Sequence, residues 1–173
     1  MMVAVSFGMK RIGVISDTHG YVDDRILHHL SGCDEIWHAG DIGSLEVTDA
    51  LQKVATLRAV SGNIDDSRVK SEFGSELAFE CEGKRVWMTH IVGKPGSYNQ
   101  VVKAFLPVRR PDILVCGHSH ALLIAYNKEY GLLHINPGAA GVKGFHTMRT
   151  LVRFTLSAEG PRDMEVVELG KRV

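Results

Sequence analysis

The sequence predicts a mixed α/β sandwich of two sheets with helices on the outside, and three observations predict it. The first third alternates strand, helix, strand, helix, strand, the order that builds parallel strands joined by crossover helices. The texture then changes to alternating segments around tight turns, the pattern of hairpins. The composition, 45% hydrophobic and 23% charged over 173 residues, suits one ordinary globular core rather than two cores or a disordered chain.

Each element follows from local pattern. Arg11 to Ser16 is a short apolar run closed by a polar turn, a buried strand. Arg25 to Leu30 places Ile26, Leu27 and Leu30 at helical spacing, and Asp23 or Asp24 supplies the N-cap. Glu35 to His38 is a second strand, closed by Gly40-Asp41. Ser44 to Val54 reads as a helix, with Ser44 as cap candidate and Leu45, Thr48, Leu51 and Val54 on one side. Leu57 to Val60 is a third strand, ending in Ser61-Gly62-Asn63. Glu76 to Glu80 and Arg85 to Thr89 flank Gly83 as a hairpin. Ser97 to Phe105 is expected to be helical and to stop near Pro107. Asp112 to Cys116 is another buried strand, and Leu122 to Tyr126, Leu132 to Ile135, Thr150 to Leu156 and Met164 to Leu169 follow as hairpin-like strands. With no repeat or linker in sight, residues 1–173 form a single domain. Met9 directly precedes Lys10-Arg11 and the first strand, so residues 1–9 read as a ragged N-terminal extension.

Several function classes fall away. Twenty basic against twenty acidic residues leave a formal net charge of zero, which removes the signal for broad nucleic-acid binding. No apolar run approaches the roughly 20 residues that span a bilayer. Cys33, Cys81 and Cys116 are sparse and far apart, so they read as buried thiols in a reducing setting, and the expected location is the cytoplasm. The apolar start, Met1 to Met9, lacks the basic segment and cleavage site of a secretory signal.

The chemistry gathers where strands end. Apolar strands run into Asp17-Thr18-His19, Gly40-Asp41, Gly62-Asn63, Thr89-His90 and Gly117-His118-Ser119-His120. In open α/β sheets the carboxyl ends of the strands line one crevice, where ligands bind. Asp17, His19, Asp41, Asn63, His90, His118 and His120 therefore converge, and each carries a nitrogen or oxygen donor for a metal. Seven donors exceed the four of a lone structural zinc and fit two ions. Imidazole, carboxylate and amide without thiolate suit Mn²⁺, Fe²⁺ or Zn²⁺ better than Mg²⁺ or Ca²⁺.

The series Asp17-x-His19, Gly40-Asp41, Gly62-Asn63-x-Asp65, His90 and Gly117-His118-x-His120, followed by Asn136-Pro137-Gly138, resembles the calcineurin-like metallophosphoesterases, and within them the small prokaryotic YfcE-type branch. The resemblance spans residues 10–156. It implies a four-layer α/β/β/α sandwich with two mixed sheets. It implies that Asp17, His19 and His120 hold one metal, that Asn63, His90 and His118 hold the other, and that Asp41 bridges them. The cofactor is then two divalent ions, Mn²⁺ as first choice and Fe²⁺, Zn²⁺ or Ni²⁺ as alternates. The implied reaction is hydrolysis of a small phosphoester, foremost a phosphodiester, by a metal-bound hydroxide attacking phosphorus. Catalytic roles fall to Asp41, Asn63, His90 and His118, with Asn63 also touching substrate.

The chain departs from the family in two places. Many relatives carry a histidine directly after Gly-Asn that assists the leaving group; here the position is Ile64, as the YfcE-type branch also lacks it. Relatives often show His-Gly-His after the fourth ligand strand, whereas this chain has His90-Ile91-Val92-Gly93. His146 and Arg149, in the glycine-rich return loop, are candidate phosphate contacts. Asp65 is assigned to the turn, and His38 and His134 to packing. Two alternatives stand beside the phosphodiesterase: a non-catalytic protein-binding scaffold on the same fold, and a phosphomonoesterase or nucleotidase. Apolar residues of the later hairpins leave room for a homo-oligomer.

Overall fold

A computed structural model describes residues 8–145 and 147–172, so the expected extension lies almost wholly outside the described residues. The strands are β1 (Met9–Ile15), β2 (Glu35–His38), β3 (Thr56–Ala59), β4 (Glu76–Cys81), β5 (Lys84–Thr89), β6 (Gly93–Lys94), β7 (Ser97–Tyr98), β8 (Ile113–Val115), β9 (Leu122–Asn127), β10 (Leu132–Pro137), β11 (Met148–Ser157) and β12 (Gly160–Lys171). The helices are α1 (Asp24–Leu30), α2 (Leu45–Gln52), α3 (Ser67–Glu72) and α4 (Gln100–Arg109). One sheet has the order β12-β11-β1-β2-β3 and the other β4-β5-β8-β10-β9. Both are mixed: β1, β2 and β3 pair in parallel, as do β5, β8 and β10, while β11 and β9 run antiparallel to their neighbours.

Side-chain alternation builds the layers, because successive residues of a strand face opposite sides. Ile12 and Val14 of β1, Trp37 of β2, and Val86 and Met88 of β5 face the space between the sheets, where Ile113, Val115 and Phe154 join them. Ile15 and Ile36 face the other way, onto a cluster that holds Ile26 and Leu30 of α1 and Val47 and Leu51 of α2. Trp87 and Leu114 face outward from the second sheet onto Val102 and Leu106 of α4. The result is the expected α/β/β/α sandwich.

Two local expectations are corrected. Ser97-Tyr98 is not the start of a helix but the second arm of a short ribbon with Gly93-Lys94, and Asn99 caps α4 by accepting from Val102 N. That helix also runs through Pro107 to Arg109 and ends with Arg110 in left-handed backbone. Pro107 and Lys103 both lie on the exposed side, so the Lys103 carbonyl that loses its proline-blocked partner faces water. Helix α3 had no clear apolar period; it is set by Asp66, whose carboxylate accepts from Arg68 N and Val69 N. The three cysteines are all buried and free. Among the described residues no helix is long and apolar enough to cross a membrane.

One buried carboxylate ties three strands together. Glu35, 3% exposed, accepts from Lys10 Nζ (2.7 Å) on β1, from Arg58 Nε (2.8 Å) on β3, and from Trp37 Nε1 (3.1 Å). Burial alone would raise its pKa, but the hydrogen bonds from Arg58, Lys10 and Trp37 outweigh it and hold the carboxyl at about 2. Because the folded value lies below the unfolded one, this stability is present above about pH 4.5 and is lost as pH falls toward the folded value. Glu35→Gln is expected to cost ~2 kcal/mol at pH 7. Urea unfolding at pH 7 and pH 3 checks this: the wild type weakens between the two, and the variant shows a shallower loss.

Candidate metal centre

The crevice is made of loops that continue the parallel ladders. Asp17 N donates to Gly40 O (3.0 Å), His19 N to Asp41 O (3.0 Å) and Gly20 N to Ile42 O (2.7 Å), so the β1 loop is zipped to the β2 loop. Gly117 N donates to His90 O (3.0 Å), joining the β8 and β5 loops. Ala140 N and Gly141 N donate to Ser16 O and Asp17 O, laying the return loop across the β1 loop. The Asp65 carboxylate accepts from Ile42 N, Gly43 N and Gly62 N (3.1, 2.6 and 2.7 Å), pinning the β2 and β3 loops to each other.

These loops bring the seven predicted donors together, six of them in two groups of three and Asn63 beside the second. Asp17, His19 and His120 form one, and Asp41, His90 and His118 the other, with the donor atoms of each group within 4.8 Å of one another. In the first, His120 Nε2 lies 3.3 Å from Asp17 Oδ1 and 3.2 Å from His19 Nε2. In the second, His90 Nε2 lies 3.2 Å from Asp41 Oδ1, and His118 Nδ1 lies 2.9 Å from Asn63 Oδ1. Asp41 faces both groups: Oδ1 toward His90 and Oδ2 toward His19, at 3.8 Å.

Five of the seven donor residues, Asp17, His19, Asp41, His118 and His120, have φ between 49° and 68°, the left-handed region that side chains disfavour. Asp17 and Asp41 tolerate it best, but a left-handed histidine costs roughly 1 kcal/mol or more. Strain of this kind collects at functional sites. Glycine makes the close approach workable. A Cβ on Gly62 would collide with the Asp41 carboxylate, and one on Gly117 with Ser16 Oγ.

The electrostatics fit divalent cations. His90 Nδ1 lies 2.7 Å from Ala39 O, so that nitrogen carries the proton and donates it to the carbonyl. Nε2 is buried 3.2 Å from Asp41 Oδ1 with Asp17 Oδ1 4.0 Å away, and has no aligned hydrogen-bond partner among the described residues. Burial opposes charge on His90, yet the Asp41 and Asp17 carboxylates raise its pKa above the ordinary histidine value. A buried nitrogen facing two carboxylates draws a positive charge, a proton in the protein alone, and a metal ion would take that proton's place. Burial lowers the pKa of His19, which keeps that imidazole neutral and able to donate to a metal.

The neighbouring polar residues are supports. Burial pushes His38 down to about 4. Its Nδ1 accepts from Gly40 N (3.2 Å), so Nε2–H donates to Thr18 Oγ1 (2.9 Å), which donates to Ile42 O (3.0 Å). Asn136 donates to Gly117 O (2.9 Å) and Ser119 Oγ (3.0 Å), holding the Gly-His-Ser-His turn. Of the two candidate phosphate contacts, His146 lies outside the described residues. Arg149 is placed elsewhere than expected: 5% exposed, it donates to Ala140 O (2.7 Å) and Asp23 (3.0 Å) over the Tyr21 ring, and so fixes the return loop. The sequence reading missed Arg172. Its three guanidinium nitrogens are buried with no acceptor among the described residues, and Nη1 and His120 Nδ1 both lie against Gly144. The glycine before Asp41, Asn63 and His118 was the available signal for tight packing; nothing in the sequence marked Arg172.

Residues 9–159 match the family model for the calcineurin-like phosphoesterase superfamily domain. A probable metallophosphoesterase from Methanothermobacter thermautotrophicus is 29% identical over 168 residues, which are 94% of this chain and 94% of that protein. A solved structure of a novel archaeal phosphodiesterase superposes with a TM-score of 0.72 at 22% identity, covering 92% of this chain and 99% of the other. Vacuolar protein sorting 29 from Cryptosporidium parvum superposes with a TM-score of 0.66 at 16% identity, covering 94% and 99%. At these identities both structural likenesses speak to the fold alone.

The backbone strain is testable without metal. His118 has φ 68° and an exposed side chain, so little packing is lost by truncating it. In chelator-treated protein, His118→Gly is expected to be more stable than His118→Ala by ~1 kcal/mol, measured by urea unfolding. Equal stabilities would show that the left-handed backbone costs nothing there.

Proposed function

The chain belongs to the calcineurin-like phosphoesterase superfamily, and from that premise we propose that it is a phosphodiesterase dependent on two divalent ions, with Mn²⁺ first and Fe²⁺, Zn²⁺ or Ni²⁺ as alternates. The observation that carries this reading is the pair of donor groups with Asp41 between them, its two oxygens facing His90 and His19. Asp17, His19 and His120 would hold one ion, Asn63, His90 and His118 the other. Asp41, with an oxygen toward each group, would serve both. When bound, the two cations supply Lewis acidity toward phosphoryl oxygens and a water acidic enough to attack phosphorus near neutral pH.

The chain's own residues do the positioning. The Ala39 carbonyl fixes the ring of His90, and the Asp65 carboxylate holds the loops that carry Asp41 and Asn63. Asn63 spends its carbonyl oxygen near His118 and keeps its amide nitrogen as a donor for a phosphoryl oxygen. Arg172 adds positive charge beside His120, which favours an anionic substrate. As water oxygen bonds to phosphorus, the bond to the leaving oxygen breaks and that oxygen departs with the electron pair. Ile64 has no proton to give it; only its backbone N–H is engaged, donating to Asp41 Oδ1 (3.1 Å). Leaving groups that are stable as anions are therefore favoured, which sets aryl diesters above alkyl monoesters. Three buried thiols fit a cytoplasmic setting.

A non-catalytic scaffold is the second reading, raised by the fold shared with vacuolar protein sorting 29. Against it stand the full donor set and the left-handed backbone at five of its members, a cost that a binding platform does not need.

Chelator treatment followed by Mn²⁺ is expected to abolish and restore hydrolysis of bis(4-nitrophenyl) phosphate. No hydrolysis with any divalent metal would favour the scaffold. Asp41→Ala is expected to cut the rate by ~100-fold or more and to lose both ions in a metal analysis; two ions retained would contradict the shared carboxylate. An alkyl monoester is expected to react at least ~10-fold more slowly in kcat/KM, and equal rates would remove the argument from Ile64.

A further inference from the structure

Two cavities open beside the candidate centre, and they differ in chemistry. One, of about 480 Å³, contains Asn63 and His90 and is lined beyond them by Ser61, Ser75, Thr89 and Lys70. The other, of about 460 Å³, contains His118 and is lined beyond it by the apolar Val92, Ala121 and Leu123, by His134, and by Lys94, Ser97 and Ser119. Both cavities hold a lysine and hydroxyls, Lys70 in the first and Lys94 in the second, but the second exposes the larger apolar surface. Neither is lined by Asp17, His19 or His120, so both open from the same half of the donor set. Each is large enough for a group of sugar or aryl size.

The two cavities share Ile91, which is 43% exposed. Its position is fixed: Asn99 Nδ2 donates to Ile91 O (2.8 Å) and Asn99 N to Val92 O (2.9 Å), so the cap of α4 clamps the segment. This is the stretch, His90-Ile91-Val92-Gly93, where the chain leaves the pattern of its relatives. His134 of the second cavity stacks on Tyr98, and burial holds it down at about 4, so it adds no charge there at neutral pH and Lys94 is the cavity's basic group.

We infer that the substrate is an asymmetric phosphodiester, with a hydroxylated, sugar-like arm in the Ser61–Ser75–Thr89 cavity and an aromatic or short aliphatic arm in the Val92–Leu123 cavity. The inference rests on the phosphodiesterase reading above. Asn63 and His90 line the first cavity and His118 the second, so a phosphoryl group at the ion these three would hold has a cavity on either side for its two ester arms. Ile91 is the divider that gives each arm its side and is the specificity-determining residue. When the apolar arm leaves, water oxygen replaces its oxygen on phosphorus, and the sugar-like arm stays as the monoester.

Two substrates with one leaving group test this: the 4-nitrophenyl ester of thymidine 5′-phosphate and methyl 4-nitrophenyl phosphate. With Mn²⁺, the thymidine ester is expected to have a kcat/KM about tenfold higher, through a lower KM. Ser75→Trp, which fills the first cavity, is expected to erase that advantage by raising KM for the thymidine ester about tenfold more than for the methyl ester. Leu123→Asp is expected to raise KM for both esters about tenfold while changing kcat little. Binding is read separately, by amide shifts of the purified protein with thymidine and with 4-nitrobenzyl alcohol. Thymidine should move Ser75 and Thr89, and the aryl alcohol Val92 and Leu123. Hydrolysis of both esters at equal kcat/KM, unmoved by Ser75→Trp, overturns this inference and leaves the phosphodiesterase reading standing. No hydrolysis of either ester overturns both. Shifts in which the two probes exchange cavities, or share one, overturn the assignment of arms.

Discussion

The rim of this molecule depends on backbone held left-handed at Asp17, His19, Asp41, His118 and His120. Such backbone costs roughly 1 kcal/mol at a histidine and less at an aspartate, so the rim as a whole takes a noticeable share of the stability of a small domain. What offsets the cost is visible in the loops themselves. The β1, β2, β5, β8 and return loops exchange backbone hydrogen bonds as though the sheets continued past their formal ends. The donors are aimed by a network that is complete in the protein alone. Only the tips, such as His90 Nε2, are left wanting a positive charge.

The two-sheet architecture makes that network possible. Asp17 and Asp41 come from one sheet, His90 and His118 from the other, and the buried cluster around Trp37, Met88 and Phe154 fixes the distance between them. Supports that look secondary then become structural necessities. Asp65, Asn136 and the His38–Thr18 pair each satisfy backbone groups that the tight loops leave open. Arg149 belongs with them, since it carries the return loop on Ala140 and Asp23.

Much of this was legible in the residues, because the strand signal is strong where it matters. Alternation in Ile12, Val14, Trp37, Val86 and Met88 defines the layer between the sheets, and a polar donor follows each of five apolar runs. The rest was hidden for definite reasons. Six residues of α3 carry too little apolar period to read, and their signal is a capping carboxylate. Pro107 hid the end of α4, because a proline on a water-facing side is tolerated where one on a buried side is not. Arg149 looked like a phosphate contact by residue type; its neighbours Asp23 and Tyr21 come from a loop over a hundred residues away in sequence. Arg172 came from the far end of the chain, and Ile91 acquired meaning only once two cavities appeared on either side of it.

The zipped loops have a consequence for metal exchange. A host whose donors are already in place gains or loses a guest ion without rebuilding its frame, so little ordering entropy stands against entry. Affinities among first-row divalents then follow their intrinsic order rather than any refolding step. On the two-ion reading proposed above, the resident ion becomes a matter of supply, and the same chain would carry different metals under different nutrient conditions.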